Sequence, residues 1–267
     1  MPEYYLDTNA VRKLTPMLSE GVHDSVLTSI YTIIELIGNI KDEASFQRQK
    51  AILEKLAKGK FKIDPLLPEE VQMEAFNIHL NSDVSSQIVD LMIRLICFDT
   101  YENWVAFETV QEPHPNIYEY VQITDKQQSF AQMLEKHFSD VPTKMSINDF
   151  NKTWDESQSR DLILTRVVEY YVEKRKQMYP DRTDQIRYDS SINLFMLVHA
   201  HYVDKKVAYH NKPGRNDFQD LMHLLYVRQG MTLVTDDRHF RENVNEVWNG
   251  RAITTDEFLQ RYRQTPE

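Results

Sequence analysis

Strand-then-helix signals stand at the two ends of this chain, and what lies between them reads at helical period. No other feature constrains the fold as much. A short strand is not stable alone, and strands that alternate with helices pair into one parallel sheet. The two ends must therefore meet. At the N-terminus, Glu3–Leu6 is a short apolar and aromatic run, predicted as a strand that stops at Asp7. Thr8 or Asn9 then caps a helix to about Leu18. His23–Leu27 reads as a second strand. Thr28 or Ser29 caps the next helix, whose Ile30, Ile33, Ile34 and Ile37 form an i, i+3, i+4, i+7 stripe. Near the C-terminus a polar loop, His210–Asn216, leads into a helix over Asp217–Arg228. Gly230 ends it, and Met231–Val234 reads as a short buried strand followed directly by Thr235-Asp236-Asp237. Arg251–Ile253 is a further strand, with Thr254 or Thr255 capping a last helix to about Tyr262.

The middle reads as helices over Glu43–Lys58, from Pro68 with Glu69 and Glu70 in its first turn, over Asp83–Phe98 and over Lys126–Phe138. Glu112–Pro115 interrupts this pattern. A long stretch from Ser146 to about Tyr179 ends at Pro180, and another helix covers about Ser190–Asp204. The expected fold class is thus α/β: a small parallel sheet flanked by helices, assembled from residues 1–40 and 191–267, with an all-helical insertion over residues 41–190. A block this long cannot be an ordinary loop, and its periodicity implies a packed core of its own.

Composition narrows the setting. No apolar run is long enough to span a membrane and no signal-peptide pattern opens the sequence, so a soluble cytoplasmic protein with no membrane partner is expected. The single cysteine, Cys97, excludes an internal disulfide and lies in an apolar run, so a buried thiol is expected. The net charge of −10 weighs against binding nucleic acid mainly through phosphates. Carboxylates gathered for a cation would contribute to that charge, and local patches matter more than the sum.

Acids recur where the strand–helix units turn. Asp7 follows the first strand at the sheet edge where open α/β folds place ligands. Glu35 lies on the flank of the isoleucine stripe. Asp217 and Asp220 open a helix whose Leu221, Leu224 and Leu225 face the core, so both sit on or beside a buried face, where an unpaired carboxylate is costly. Asp236 and Asp237 follow a strand. Each acid alone has a bland reading as a turn or first-turn residue. Together they offer the clustered oxygen donors that Mg²⁺ or Mn²⁺ requires. His199, His201 and His210 match no standard zinc spacing. Lys212 and Arg215 precede Asp217 in its loop and are candidates for phosphate contact. Lys174, Arg175, Lys176, Arg182 and Arg187 read as a solvated helix face, the alternative being an extension of a phosphate-binding track.

The motifs around these acids resemble those of PIN-domain nucleases. They are Tyr5-Leu6-Asp7-Thr8-Asn9, Leu27-Thr28-Ser29 leading into Thr32-Ile33-Ile34-Glu35-Leu36, Asn216-Asp217-Phe218-Gln219-Asp220-Leu221-Met222-His223-Leu224, and Leu233-Val234-Thr235-Asp236-Asp237-Arg238-His239-Phe240. The resemblance covers about residues 1–40 and 195–255 and does not extend to the helical middle. It implies a metal-dependent ribonuclease acting on single-stranded RNA with Mg²⁺ or Mn²⁺. Asp7, Glu35, Asp217 or Asp220, and Asp236 or Asp237 would hold the ion, while Thr8, Asn9 and Thr235 would position ligand or phosphate. The alternatives are a non-catalytic PIN-like binding or assembly module and a DNA or flap nuclease with the same metal site. The middle block is placed to cover the site or to bind a protein partner or a second copy of the chain.

Overall fold

In the computed structural model, residues 3–15, 25–58, 62–80, 83–110, 123–136, 160–214 and 216–264 are described. Five short strands form one parallel sheet: β1 (Tyr4–Leu6), β2 (Val26–Ser29), β3 (Lys62–Asp64), β4 (Thr232–Val234) and β5 (Ala252–Ile253). Their spatial order is β3-β2-β1-β4-β5. Tyr5 of β1 stands opposite Leu27 on one side and Leu233 on the other, and Leu233 stands opposite Ala252. The expected α/β class with a small parallel sheet is therefore the observed one.

This order decides where a ligand can sit. From β1 the chain moves outward through β2 and β3, and it returns to the other side of β1 with β4 and β5. The direction of winding reverses between β1 and β4, and an open sheet leaves a crevice at that point, outside the carboxyl ends of the strands. Asp7 follows β1 and Thr235 follows β4, so both stand at the mouth of this crevice.

In chain order the helices are α1 (Thr8–Leu14), α2 (Ile30–Gly38), α3 (Glu43–Ala57), α4 (Pro68–Glu74), α5 (Val84–Cys97) and α6 (Tyr101–Val110). Then come α7 (Ile123–Lys136), α8 (Arg160–Met178), a 3₁₀ turn (Pro180–Gln185), α9 (Asn193–Ala208), α10 (Asp217–Leu224), α11 (Arg238–Val247) and α12 (Thr255–Gln264). The stripe Ile30, Ile33, Ile34 and Ile37 of α2 is buried, as its spacing requires.

Several boundaries differ from the expectation. Asp7, not Thr8 or Asn9, caps α1, because its carboxylate rather than a hydroxyl reaches back to the first turn, accepting the Ala10 N–H at 2.7 Å. β2 starts at Val26, later than predicted, and Ser29 caps α2. α10 stops at Leu224, so Leu225–Arg228 continue without it. The expected turn residues Glu112–Pro115 and the first part of the stretch from Ser146 lie outside the described residues.

The block 41–190 is not all helix, since Lys62–Asp64 forms the edge strand β3 against β2. Lys62 is exposed and its neighbours are half-buried, so this strand carries neither an apolar run nor alternation. Its place comes from pairing and from tertiary ties: Arg228 bridges Asp64 at 3.3 Å and the Tyr226 hydroxyl donates to the Leu66 carbonyl at 2.7 Å. Nor does the block have a separate core. Ile52, Leu53, Ile88, Met92, Leu95, Leu134 and Ile163 belong to the same continuous buried cluster as Tyr5, Leu6 and Leu233. Cys97 is exposed rather than buried. The inward face of α5 runs through Ile88, Met92 and Leu95, and Cys97 falls two positions past that line, about 200° around the helix. Among the described residues no helix is long and apolar enough to cross a membrane.

Arg175 corrects the reading of the basic segment as a solvated face. It is 7% exposed, donates to the Gln72 side-chain oxygen at 2.7 Å, and lies over the rings of Phe76 and Tyr171. Lys174 beside it is exposed. Arg175→Ala is therefore expected to lower unfolding free energy by about 2–3 kcal/mol through the lost packing, hydrogen bond and cation–π contact. Lys174→Ala should stay within about 0.5 kcal/mol. Urea titrations of the two variants check this; equal midpoints would refute the packing role.

Candidate functional site

The site grows out of the crevice between β1 and β4. Asp7 is 3% exposed. Its N–H donates to the Val234 carbonyl at 3.3 Å, so pairing continues to the last residue of β1 and holds the carboxylate at the edge. Thr235, fully buried, joins the two strand ends: its hydroxyl hydrogen-bonds the Asp7 carboxylate and accepts the Asp237 N–H at 3.0 Å. Asp237 in turn caps α11, accepting the Phe240 N–H at 2.9 Å.

Glu35 arrives from α2 on the opposite wall. The Thr8 hydroxyl donates to its Oε2, and the same oxygen accepts from Nε2 of His223 at 2.9 Å. His223 lies on α10, and its Nδ1 pairs with the Tyr5 hydroxyl at 2.7 Å, which also meets the Ser29 hydroxyl at 2.8 Å. A continuous polar chain thus runs from Ser29 through Tyr5 and His223 to Glu35. Burial opposes a charge on His223, but Glu35, Asp7 and Asp220 outweigh it and raise its pKa above the ordinary histidine value. Burial likewise opposes ionisation of Glu35, yet His223, Thr8 and Arg12 hold its pKa below the usual value.

The two ambiguous pairs separate by their surroundings. Asp220 faces the cluster: burial first, then the charges of Asp237, Asp7 and Glu35, push its carboxyl up to about 8 against the pull of His223. Asp217 is occupied elsewhere. Its Oδ2 accepts from the Tyr202 hydroxyl, from the Gly214 N–H at 2.6 Å and from Lys206 at 3.1 Å. A Cβ on Gly214 would stand 2.8 Å from Asp217 Oδ1, so any other residue there would displace this carboxylate. Asp236 also turns away. It accepts from the Thr255 N–H at 3.0 Å and its hydroxyl, and bridges Lys13 at 3.1 Å, which ties the end of β4 to the start of α12. Asp7, Glu35 and Asp237 therefore lie within the electrostatic reach of Asp220, whereas Asp217 and Asp236 are held by other partners. Asp7, too, is pushed up, to about 6, by burial and by Glu35, although His223, Thr235 and the Ala10 N–H pull the other way.

The basic residues proposed from the sequence fare differently. Lys212 pairs with Glu135 at 2.7 Å, away from the cluster, and Arg215 lies outside the described residues. Asn9 is exposed in the first turn of α1. The cation that the structure does set beside the acids is Arg12, half-buried on α1 within the fields of Glu35 and Asp7, with its Nε making no hydrogen bond. Arg12 and His223 were not singled out by sequence. His223 had a legible signal, standing three residues after Asp220 on the same helix face; Arg12 had none.

All four clustered acids are hard oxygen donors, the chemistry that suits Mg²⁺ or Mn²⁺. Among the described residues no three His, Cys, Asp or Glu side chains form a group that could by itself hold a metal ion. Mg²⁺ ordinarily keeps several waters and takes one or two carboxylates plus substrate phosphates, so it needs fewer than three protein ligands. Two further features fit an added cation. Asp220 carries repulsion that His223 does not cancel, and the Tyr31 hydroxyl, buried within the fields of Glu35 and Asp220, makes no hydrogen bond. Comparisons with known family models, with curated proteins and with solved structures return no match.

Proposed function

We propose that this chain is a metal-dependent nuclease that hydrolyses phosphodiester bonds of single-stranded RNA. The observation that carries the reading is the gathering of Asp7, Glu35 and Asp237 around Asp220 at the switch point of the sheet, with Asp7 buried and Asp220 held against its acidic neighbours. The choice of RNA rests on the resemblance of the motifs to PIN-domain nucleases.

Asp7, Glu35, Asp220 and Asp237 would hold Mg²⁺ or Mn²⁺, and the chemistry such an ion supplies is polarisation of a phosphoryl oxygen and neutralisation of charge developing there. The chain's own groups prepare that place. Thr235 fixes Asp7 relative to Asp237 across the two strand ends. Thr8 and His223 orient Glu35 from both sides, and Tyr5 holds the imidazole from behind. Arg12 offers a guanidinium to a phosphate oxygen, a role for which its fork suits it. Reliance on a few placed cations and one ion is compatible with a net charge of −10.

One observation favours a second reading, a non-catalytic binding module: Glu35 is already neutralised by His223 within the protein. A single assay separates the two. The purified chain is incubated with end-labelled single-stranded RNA, or with DNA of the same sequence, in Mn²⁺, Mg²⁺ or EDTA. Cleavage of RNA that needs the ion is expected. Retained binding with no cleavage in either ion would replace the nuclease by the binding module, and cleavage of DNA alone would replace the substrate.

A further inference from the structure

Beside the acidic site lies a cleft of about 260 Å³. α10 separates the two. Phe218 and Leu221 line the cleft from one face of this helix, and Leu221 is also a wall of a smaller recess bounded by Asp217 and Asp220. The cleft thus shares α10 with Asp220, which stands next to Leu221.

The lining is largely aromatic, with one stacked pair and further rings tilted against it. The Phe195 and His199 rings lie 5.4 Å apart at 23°. Phe130 stands 5.8 Å from Phe218 and 6.2 Å from His199. Met133 at the wall remains 41% exposed, so the cleft is open to solvent. Its polar elements are His199, Glu69 and Gln72, and the Gln72 side-chain oxygen is already taken by Arg175. Burial alone pushes the His199 imidazole down to about 4, which leaves it neutral at physiological pH, with one N–H donor and one acceptor nitrogen. Flat rings with hydrogen-bonding groups at their margin suit a planar heterocycle. The volume falls below the range of drug-sized pockets, which suits a single ring system and leaves no room for a peptide or a helix.

We propose that this cleft takes one nucleobase of a strand whose phosphodiester lies at the acidic site, stacking it on the Phe130, Phe195 and Phe218 rings with His199 on its edge; the assignment rests on the nuclease reading above. Stacking accepts any base because every base has a π-face, so the cleft contributes affinity and register rather than sequence choice. It also compensates for the scarcity of cations around the site.

The probes are adenosine and uridine, which carry no phosphate and need no metal. Ligand-observed NMR on the full chain should detect both. Phe218→Ala should weaken binding about 5- to 100-fold, the range for one lost base–aromatic stack. Phe218→Leu and His199→Leu keep the wall apolar and filled, so they test the same contacts if the alanine variant unfolds; each should weaken binding about 5-fold or more. On RNA, the same variants should raise KM with kcat retained. Nucleoside binding lost in these variants upholds the cleft even if the wild type cleaves no RNA, a result that would overturn the nuclease reading alone. The cleft assignment falls if nucleosides do not bind, or bind the variants as well as wild type, while RNA is cleaved with unchanged KM.

Discussion

Asp7→Asn is expected to lower metal-dependent RNA cleavage by at least about 100-fold, because it removes a ligand charge from the centre of the acidic cluster and weakens the hydrogen bond that Thr235 donates. The side chain keeps its shape and its oxygen can still accept the Ala10 N–H, so the cap of α1 survives. The fold should therefore not weaken. Its stability should rise slightly above pH 6, since the folded state holds the Asp7 proton up to about 6 while an unfolded aspartate releases it near 4. Cleavage rates and thermal melts of the same preparations check both halves. Full activity in a folded variant would eliminate Asp7 from the chemistry, and a large drop in Tm would assign it to the fold.

The second large effect concerns Asp220 and pH. Its carboxyl is pushed up to about 8 in the folded chain, first by burial and then by Asp237, Asp7 and Glu35. Unfolded, it would titrate near 4. Between these values the folded state binds more protons than the unfolded state, so stability falls as pH rises from about 4 to about 8. Below 4 both states are protonated, and this group adds no further slope. Asp220→Asn removes the penalty. At pH 8.5 without divalent ions the variant should be more stable than wild type by about 1–3 kcal/mol, a rise in Tm of several degrees, with the difference vanishing near pH 4. Mg²⁺ or Mn²⁺ should stabilise the wild type at the same pH, by about 2.7 kcal/mol at a hundredfold excess over Kd, and the variant much less. Melting curves across pH, with and without the ion, give the answer. A variant less stable than wild type at pH 8.5, or one stabilised equally by the ion, would remove Asp220 from the cluster.

The α/β class was legible from local pattern alone. The isoleucine stripe of α2, the strand before Asp7, Gly230 with its φ of +87° and the strand that follows it are short-range signals, and each segment carries its own. The positions of the acids at strand ends were legible for the same reason. β3 was not, because an edge strand with the sequence Lys62-Ile63-Asp64 needs no apolar face and is held by β2, Arg228 and Tyr226. The exposed Cys97 and the buried Arg175 went against their residue types, since burial depends on which helix face meets a neighbour and on which rings stand there.

Which aspartate of each pair enters the site was decided only by tertiary structure. Asp236 and Asp237 are adjacent, yet Thr255 and Lys13 capture the first while the second caps α11 and acts on Asp220. Asp217 and Asp220 lie within one turn, yet Tyr202, Lys206 and Gly214 hold the first outside. A carboxylate takes the donors that surround it, and those donors come from residues far away in sequence. His223 joins Glu35 across 188 residues by the same logic. By itself the sequence determined the elements and the ends of strands at which charge gathers; the packing of α9, α10 and α11 decided which of those charges face one another.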